Sequence, residues 1–290
     1  MREITVTVLP PYNFDLVLDR LSLDPLNAVD TDNRTVKVPF YGKEDEVLTV
    51  TATGTSDNPS FLIKMESEDA DDSRLAYLKR IFQWEGTLRD IHQHFLDTDL
   101  RDIFIEHSGT PIVLEFSPYA TLMKSIIHQQ LNLAFAHTLT QRFVQKYGRQ
   151  KDGVWFYPQP SDVAELDISE LREMQFSQRK AEYVIGVSKE IAEGRLNLQE
   201  LEEKSDEEIL KELVKLRGIG PWTAENYLMF ALGRLNLFPK TDIGIQNALK
   251  KLYGMDRKPS LAEIDKMSAA WNPYLSYASL YLWRSIENRK

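Results

Sequence analysis

Two hydrophobic rhythms divide the chain. Over residues 1–84, apolar positions recur every second residue. Ile4, Val6 and Val8 alternate with Thr5 and Thr7, the period-two pattern of a strand with one buried face. Thr35–Val38, Val47–Thr51 and Phe61–Met65 read as further strands. Pro10-Pro11 stops the first strand, Asn13–Leu21 reads as a short amphipathic helix, and Gly54–Pro59 is a dense turn cluster. These features predict a small mixed domain built on an antiparallel sheet, with the acidic stretch Glu66–Ser73 as its linker.

After that the period changes to that of helices. Apolar runs at three- and four-residue spacing cover Ser73–Gln83, Leu88–Phe95, Pro118–Lys146, Ser161–Glu165, Glu170–Met174, Gln178–Glu193, Asp206–Lys215, Ala224–Leu232, Asp242–Leu252, Ser260–Lys266 and Tyr274–Ile286. Ser161 is a candidate cap. Ser205 with Glu208, and Ser260 with Glu263, have capping-box spacing. The predicted class is α+β: a small N-terminal antiparallel-sheet α/β domain followed by an all-α core.

Composition and charge narrow the chemistry. With no cysteine among 290 residues, disulfides, thiol nucleophiles and cysteine-ligated iron–sulfur clusters are excluded. No apolar window approaches a bilayer span, and the N-terminus lacks the marks of a signal peptide, so a cytoplasmic protein is expected. The net charge of −9 argues against nucleic acid as a partner, but it is unevenly spread. Residues 1–84 carry −6, residues 85–212 carry −9, and residues 213–290 carry +6. A protein meets phosphates through one face, so the local figure governs.

The basic quarter opens with Leu213-Val214-Lys215-Leu216-Arg217-Gly218-Ile219-Gly220-Pro221-Trp222-Thr223-Ala224. A helix ends near Leu216, Gly218 and Gly220 admit positive φ, and Pro221 suits the first turn of the next helix. Free N–H groups at that helix end suit one DNA phosphate, although a bare Gly-x-Gly also reads as an ordinary turn. Asp242 follows twenty residues after Trp222, in Phe238-Pro239-Lys240-Thr241-Asp242-Ile243-Gly244. Its simplest reading is a helix N-cap.

Taken together, Leu-x-Gly-Ile-Gly-x-Trp-Thr-Ala and Pro-x-x-Asp-x-Gly at this spacing resemble the helix-hairpin-helix DNA glycosylase superfamily. The likeness is strongest to its 3-methyladenine DNA glycosylase II branch. Pro10-Pro11-Tyr12-Asn13-Phe14, Ile126-Ile127-His128-Gln129-Gln130-Leu131, Trp271-Asn272-Pro273-Tyr274 and Ser276–Trp283 resemble further segments of that branch, in the same order. The resemblance spans nearly the whole chain. It implies a helical core over 85–290, with one subdomain at 118–227 and another formed by 85–117 plus 228–290. The active site would lie in the cleft between them.

What the resemblance implies is a monofunctional enzyme that flips a damaged base out of double-stranded DNA and hydrolyses its glycosidic bond, leaving an abasic site. Alkylated purines of the 3-methyladenine and 7-methylguanine type are the implied substrates. Asp242 takes the catalytic position, either stabilising cationic sugar or activating water. Trp222 and Trp283 match pocket walls, and Leu131 matches the wedge that fills the gap left by the flipped base. Gln130, Gly218, Gly220, Thr223 and Lys240 are expected DNA contacts. Backbone carbonyls of Val214, Leu216 and Ile219 match a site for a structural Na+ or K+, with no cofactor for the chemistry. The expected protein is a monomer, associated with the nucleoid when acting on DNA.

Lyase-active relatives carry a lysine nucleophile where this chain has Trp222, which argues against a bifunctional 8-oxoguanine-type glycosylase/lyase. A non-catalytic helix-hairpin-helix DNA-binding protein would have no use for Asp242. Arg20 and Asn226 stand where the resembled branch has aromatic side chains, and Thr241 replaces an acidic neighbour of the aspartate. The range of bases accepted is therefore expected to differ.

Overall fold

The computed structural model describes residues 2–66, 73–86 and 88–287. Most of the acidic stretch expected as a linker lies outside the described residues. The first part of the chain forms β1 (Arg2–Thr7), α1 (Phe14–Leu21), β2 (Ala28–Asp30), β3 (Thr35–Tyr41), β4 (Asp45–Ala52) and β5 (Ser60–Met65). The strands make one sheet in the order β1-β5-β4-β3-β2, with every neighbouring pair antiparallel. The register aligns Ile4, Ile63, Val50, Val36 and Val29 in a single apolar row across the sheet. That row is the alternation seen in the sequence, now facing the core. α1 buries Phe14, Val17, Leu18 and Leu21 and is capped by Asn13.

The helical part runs α2 (Ser73–Ile81), α3 (Leu88–Phe95), α4 (Arg101–Glu106), α5 (Pro118–His128), α6 (Leu133–Tyr147), α7 (Pro160–Ala164), α8 (Ile168–Glu173) and α9 (Gln178–Ala192). It continues through α10 (Leu198–Glu202), α11 (Asp206–Leu213), α12 (Pro221–Phe230), α13 (Ile243–Leu252), α14 (Leu261–Ser268) and α15 (Leu275–Ile286). No helix among the described residues is long and apolar enough to cross a membrane.

Local signals explain most of these boundaries. Both capping boxes form, at Ser205 with Glu208 and at Ser260 with Glu263. Ser161 is not a cap; α7 starts one residue earlier, with Pro160 at its first position and Gln159 before it. The run Pro118–Lys146 is not one helix. It breaks at Gln129–Asn132, where Asn132 caps α6 by accepting Phe135 N–H at 2.9 Å. A hairpin of β6 (Arg149–Lys151) and β7 (Val154–Phe156) interrupts the helices. Its signal was the Asp152-Gly153 dipeptide, with φ of 49° and 81°, a pair suited to a two-residue turn.

Apolar packing falls into two main clusters. One contains the sheet face, α1, Trp84 and the segment Ile112–Leu114, and continues into α13 and α15. Trp84 stacks on Phe61 with ring centroids 4.7 Å apart. The second cluster lies within residues 119–237, joined from the sheet side, among the described residues, by Leu26 alone. The sheet therefore shares its core with the C-terminal helices, and the cleft opens between that unit and the second cluster.

Candidate active site

The hairpin between α11 and α12 leads into the site and delivers Trp222 in the first turn of α12. Gly218 has φ +100°, and a Cβ there would sit 2.3 Å from Tyr183 Cγ, so glycine is required for both conformation and space. Gly220 differs from expectation: its φ is −96°, an ordinary extended value. No protein atom lies within 4 Å of where its Cβ would be, so any steric need for glycine comes from outside the molecule. Thr223, expected to touch DNA, is buried, and its Oγ1 accepts a hydrogen bond from Gln129 Nε2 at 2.9 Å. The same amide donates to Gly218 O at 2.8 Å and clips the hairpin to the end of α5. Only the backbone N–H of Thr223, in the first turn of α12, remains suited to an anion.

Asp242 is the N-cap of α13, its Oδ1 accepting Ile245 N–H at 3.0 Å. The simplest reading of this residue is therefore correct, and the carboxylate does more. Oδ1 also accepts Trp283 Nε1–H at 2.9 Å, and Oδ2 accepts Trp222 Nε1–H at 3.3 Å. Both indole donors are spent on one carboxylate, which leaves their faces to line space. Gly244 makes the convergence possible: a Cβ there would lie 2.9 Å from Trp283 Cδ1 and 3.0 Å from Asp242 Oδ1.

That space is a cavity of about 340 Å³ lined by Arg20, Trp222, Asn226, Phe230, Asp242 and Trp283, with Ile286 and Glu287 at its edge. A second cavity of about 260 Å³ shares Arg20, Trp222, Asn226, Phe230 and Glu287 with the first. It extends toward Asp24, Lys124, His128 and His137. Lys124 Nζ lies 2.7 Å from both Asp24 Oδ2 and Glu115 Oε1, tying α5 to the chain after α1. Burial would weaken the Lys124 ammonium, but the two carboxylates more than offset it and hold the charge. Asp24 is held below the usual carboxylate range, burial being outweighed by Lys124. His128, bonded to Thr140 Oγ1 at 3.1 Å, is pushed down to about 3 by burial and by Lys124.

The remaining expected contacts are scattered around this site. Leu131 is half-buried and packs against the helical cluster. Gln130 is exposed at the apex of the α5–α6 break, with φ +56°. Lys180 underlies that apex. Its Nζ donates to the carbonyls of Ile126, Ile127 and Gln129 at 3.1, 2.8 and 2.9 Å, satisfying the end of α5. Burial lowers its pKa to about 8. Lys240 is paired with Asp265 rather than standing free. Trp271 is fully buried and donates to Asp99 Oδ1 at 2.8 Å, so it belongs to the core. Lys180, Gly244, Phe230 and the Asp24–Lys124–Glu115 cluster had no motif of their own, whereas Gln129 stands in the Ile126–Leu131 segment and clips the hairpin instead of meeting DNA through its amide nitrogen. Only the Asp-x-Gly spacing hinted at Gly244.

The family model described as HhH-GPD superfamily base excision DNA repair protein matches residues 123–273. The chain belongs to that superfamily. It is 56% identical to YfjP of Bacillus subtilis (strain 168), whose name provisionally assigns it as a DNA-3-methyladenine glycosylase, over 97% of this chain and 98% of that one. Among solved structures, a 3-methyladenine DNA-glycosylase from Archaeoglobus fulgidus superposes with a TM-score of 0.85. It is 22% identical and covers all of both chains. Schizosaccharomyces pombe Mag1, solved with abasic DNA, superposes with a TM-score of 0.60. It is 26% identical and covers 69% of this chain and 98% of its own.

Proposed function

We propose that this protein is a monofunctional DNA glycosylase of base excision repair that removes alkylated purines and leaves an abasic site. The observation that carries the reading is the Asp242 carboxylate, held by two indole N–H donors at the mouth of a cavity walled by the same indoles. A methylated purine nucleotide carries positive charge. Aromatic faces attract such a base, at about 0.5–2 kcal/mol per contact. As the C1′–N bond breaks, charge moves to the sugar, where a fixed carboxylate stabilises it in the transition state. The three hydrogen bonds that Asp242 accepts suit this electrostatic role better than that of a base taking a proton from water.

The lyase alternative needs a free amine. Position 222 is tryptophan, and the lysine lining the second cavity, Lys124, is bound by two carboxylates as an ammonium. Neither can form a Schiff base with the sugar.

DNA would lie across the basic C-terminal quarter, with the first turn of α12 on one phosphate. We assign the gap-filling side chain to Gln130 rather than Leu131, because Gln130 is exposed at the apex. Among the described residues no cluster of His, Asp or Glu could hold a metal, so a hairpin cation would rest on carbonyls. Leu216 O accepts Ile219 N–H at 3.1 Å and keeps a second lone pair, and with Val214 O and Ile219 O it would suit Na+ or K+ as a bridge to phosphate. The reading needs one copy of the chain, acting on chromosomal DNA in the cytoplasm.

The test is base release from duplexes carrying methylated purines, with strand nicking measured separately. Wild type should release base without nicking, and Asp242→Asn should release it at least about a hundredfold more slowly. Release near the wild-type rate in that variant, or a trapped protein–DNA adduct with borohydride, would remove the proposal's basis.

A further inference from the structure

The sheet domain places a cation in the base cavity. Arg20, in the last turn of α1, sets its guanidinium 5.3 Å from the centroid of the Phe230 ring. It lines both cavities, so it belongs to the wall they share. Among the described residues its guanidinium makes no hydrogen bond or ion pair, although Asp242 and Glu287 line the same cavity. A half-buried guanidinium stacked on a ring, with five donors unspent, is a preformed fork for a planar acceptor edge. Beside it Asn226 spends Nδ2 on Trp222 O at 2.7 Å, which leaves its amide oxygen as an acceptor on the same wall.

From this we infer that Arg20 is a specificity-determining residue that extends the reaction to neutral purines presenting adjacent O6 and N7 acceptors. The inference rests on the glycosylase reading above. Arginine meets an O6/N7 edge with two parallel hydrogen bonds. A neutral purine is also the harder substrate. When its C1′–N9 bond breaks, the electron pair stays on the base, which departs as an anion. Water oxygen then bonds to C1′, and the proton that water loses ends on the departed purine. Guanidinium donors at O6 and N7 stabilise that negative charge as it forms, so their effect grows in the transition state. A cationic methylated purine leaves neutral and needs no such help. A fixed positive charge beside it acts against binding.

The probe is a duplex with a single hypoxanthine, compared under single-turnover conditions with a duplex of the same sequence carrying 7-methylguanine. Wild type should release both bases. Arg20→Met should lower the hypoxanthine-to-methylguanine rate ratio about tenfold, the span of one bidentate base contact, with 7-methylguanine leaving faster. Arg20→Lys keeps the charge without the fork and should give a smaller drop in the ratio. Equal loss on both duplexes would mean that Arg20 holds the backbone or the fold, and would overturn the inference. So would wild-type release of methylguanine alone. Release of neither base by wild type would instead overturn the glycosylase reading.

Discussion

Two faces of the base cavity are built by different means. The helical wall converges on one carboxylate. Trp222, Asp242 and Trp283 come from α12, the cap of α13 and α15, and two indole N–H groups and a backbone N–H fix the acid. The sheet-side wall converges on nothing. It offers Arg20, resting on the Phe230 ring and holding no partner. A wall whose polar groups are satisfied internally is preorganised for chemistry, whereas a wall with unspent donors is set to read what enters. Under the proposed function, the contrast puts reaction on one side and selectivity on the other.

The comparison breaks most severely at the seam. Lys124→Met would leave Asp24 and Glu115 facing each other without their cation. Removing one partner of such a buried pair costs about 3–5 kcal/mol. Urea denaturation should show that loss, with all base release falling together as the walls separate.

Next in size, Asp242→Asn should lower release of every base by about 10²–10³-fold, the cost of deleting one preorganised charge stabiliser. Binding to abasic DNA should change much less. Gly244→Ala should follow. The new methyl must displace Trp283 or the Asp242 carboxylate. A shift of this order costs up to about 10²-fold in rate with the fold intact. Near-ultraviolet circular dichroism of the indoles should register it, and the loss should be equal across lesions. A loss selective for one lesion would mean that the helical wall also reads the base.

The smallest expected effect is in pH dependence. His128 is held neutral, at about 3 against an ordinary 6.5 in the unfolded chain. Between those values only the unfolded chain takes up the proton, so stability is complete above pH 6.5 and falls as pH drops through the window. His128→Gln should flatten the decline in Tm between pH 7 and pH 5.

Much of this was legible in local pattern. The period-two rows, the capping boxes and the glycine hairpin are short-range features, and each appears where its residues stand. Asp242 was marked as the acid only by the resemblance to the glycosylase superfamily; its own residues read as a helix cap, which it is. One local reading failed and two others carry less weight once the side chains are placed, each for an identifiable reason. An apolar period runs through Gln129–Asn132 although an Asn cap restarts the helix there. Leu131 is apolar, as a wedge should be, yet packing against the helical cluster half buries it and leaves Gln130 at the apex. Thr223 is polar beside a phosphate-binding turn, yet Gln129 claims its hydroxyl from another helix.

By itself the sequence determined the two secondary-structure regimes, the glycine hairpin and the helix cap at Asp242, because these depend on neighbours within a few turns. Composition also excluded thiol and iron–sulfur chemistry outright. The shared core of sheet and C-terminal helices was decided only by tertiary packing, since its contacts join residues far apart in the chain. That packing brings Arg20 to Phe230 across some two hundred positions and leaves it unpaired in the cavity. Periodicity records which face a residue buries; which distant side chain it meets, and whether its charge is answered there, is settled when the elements close on one another.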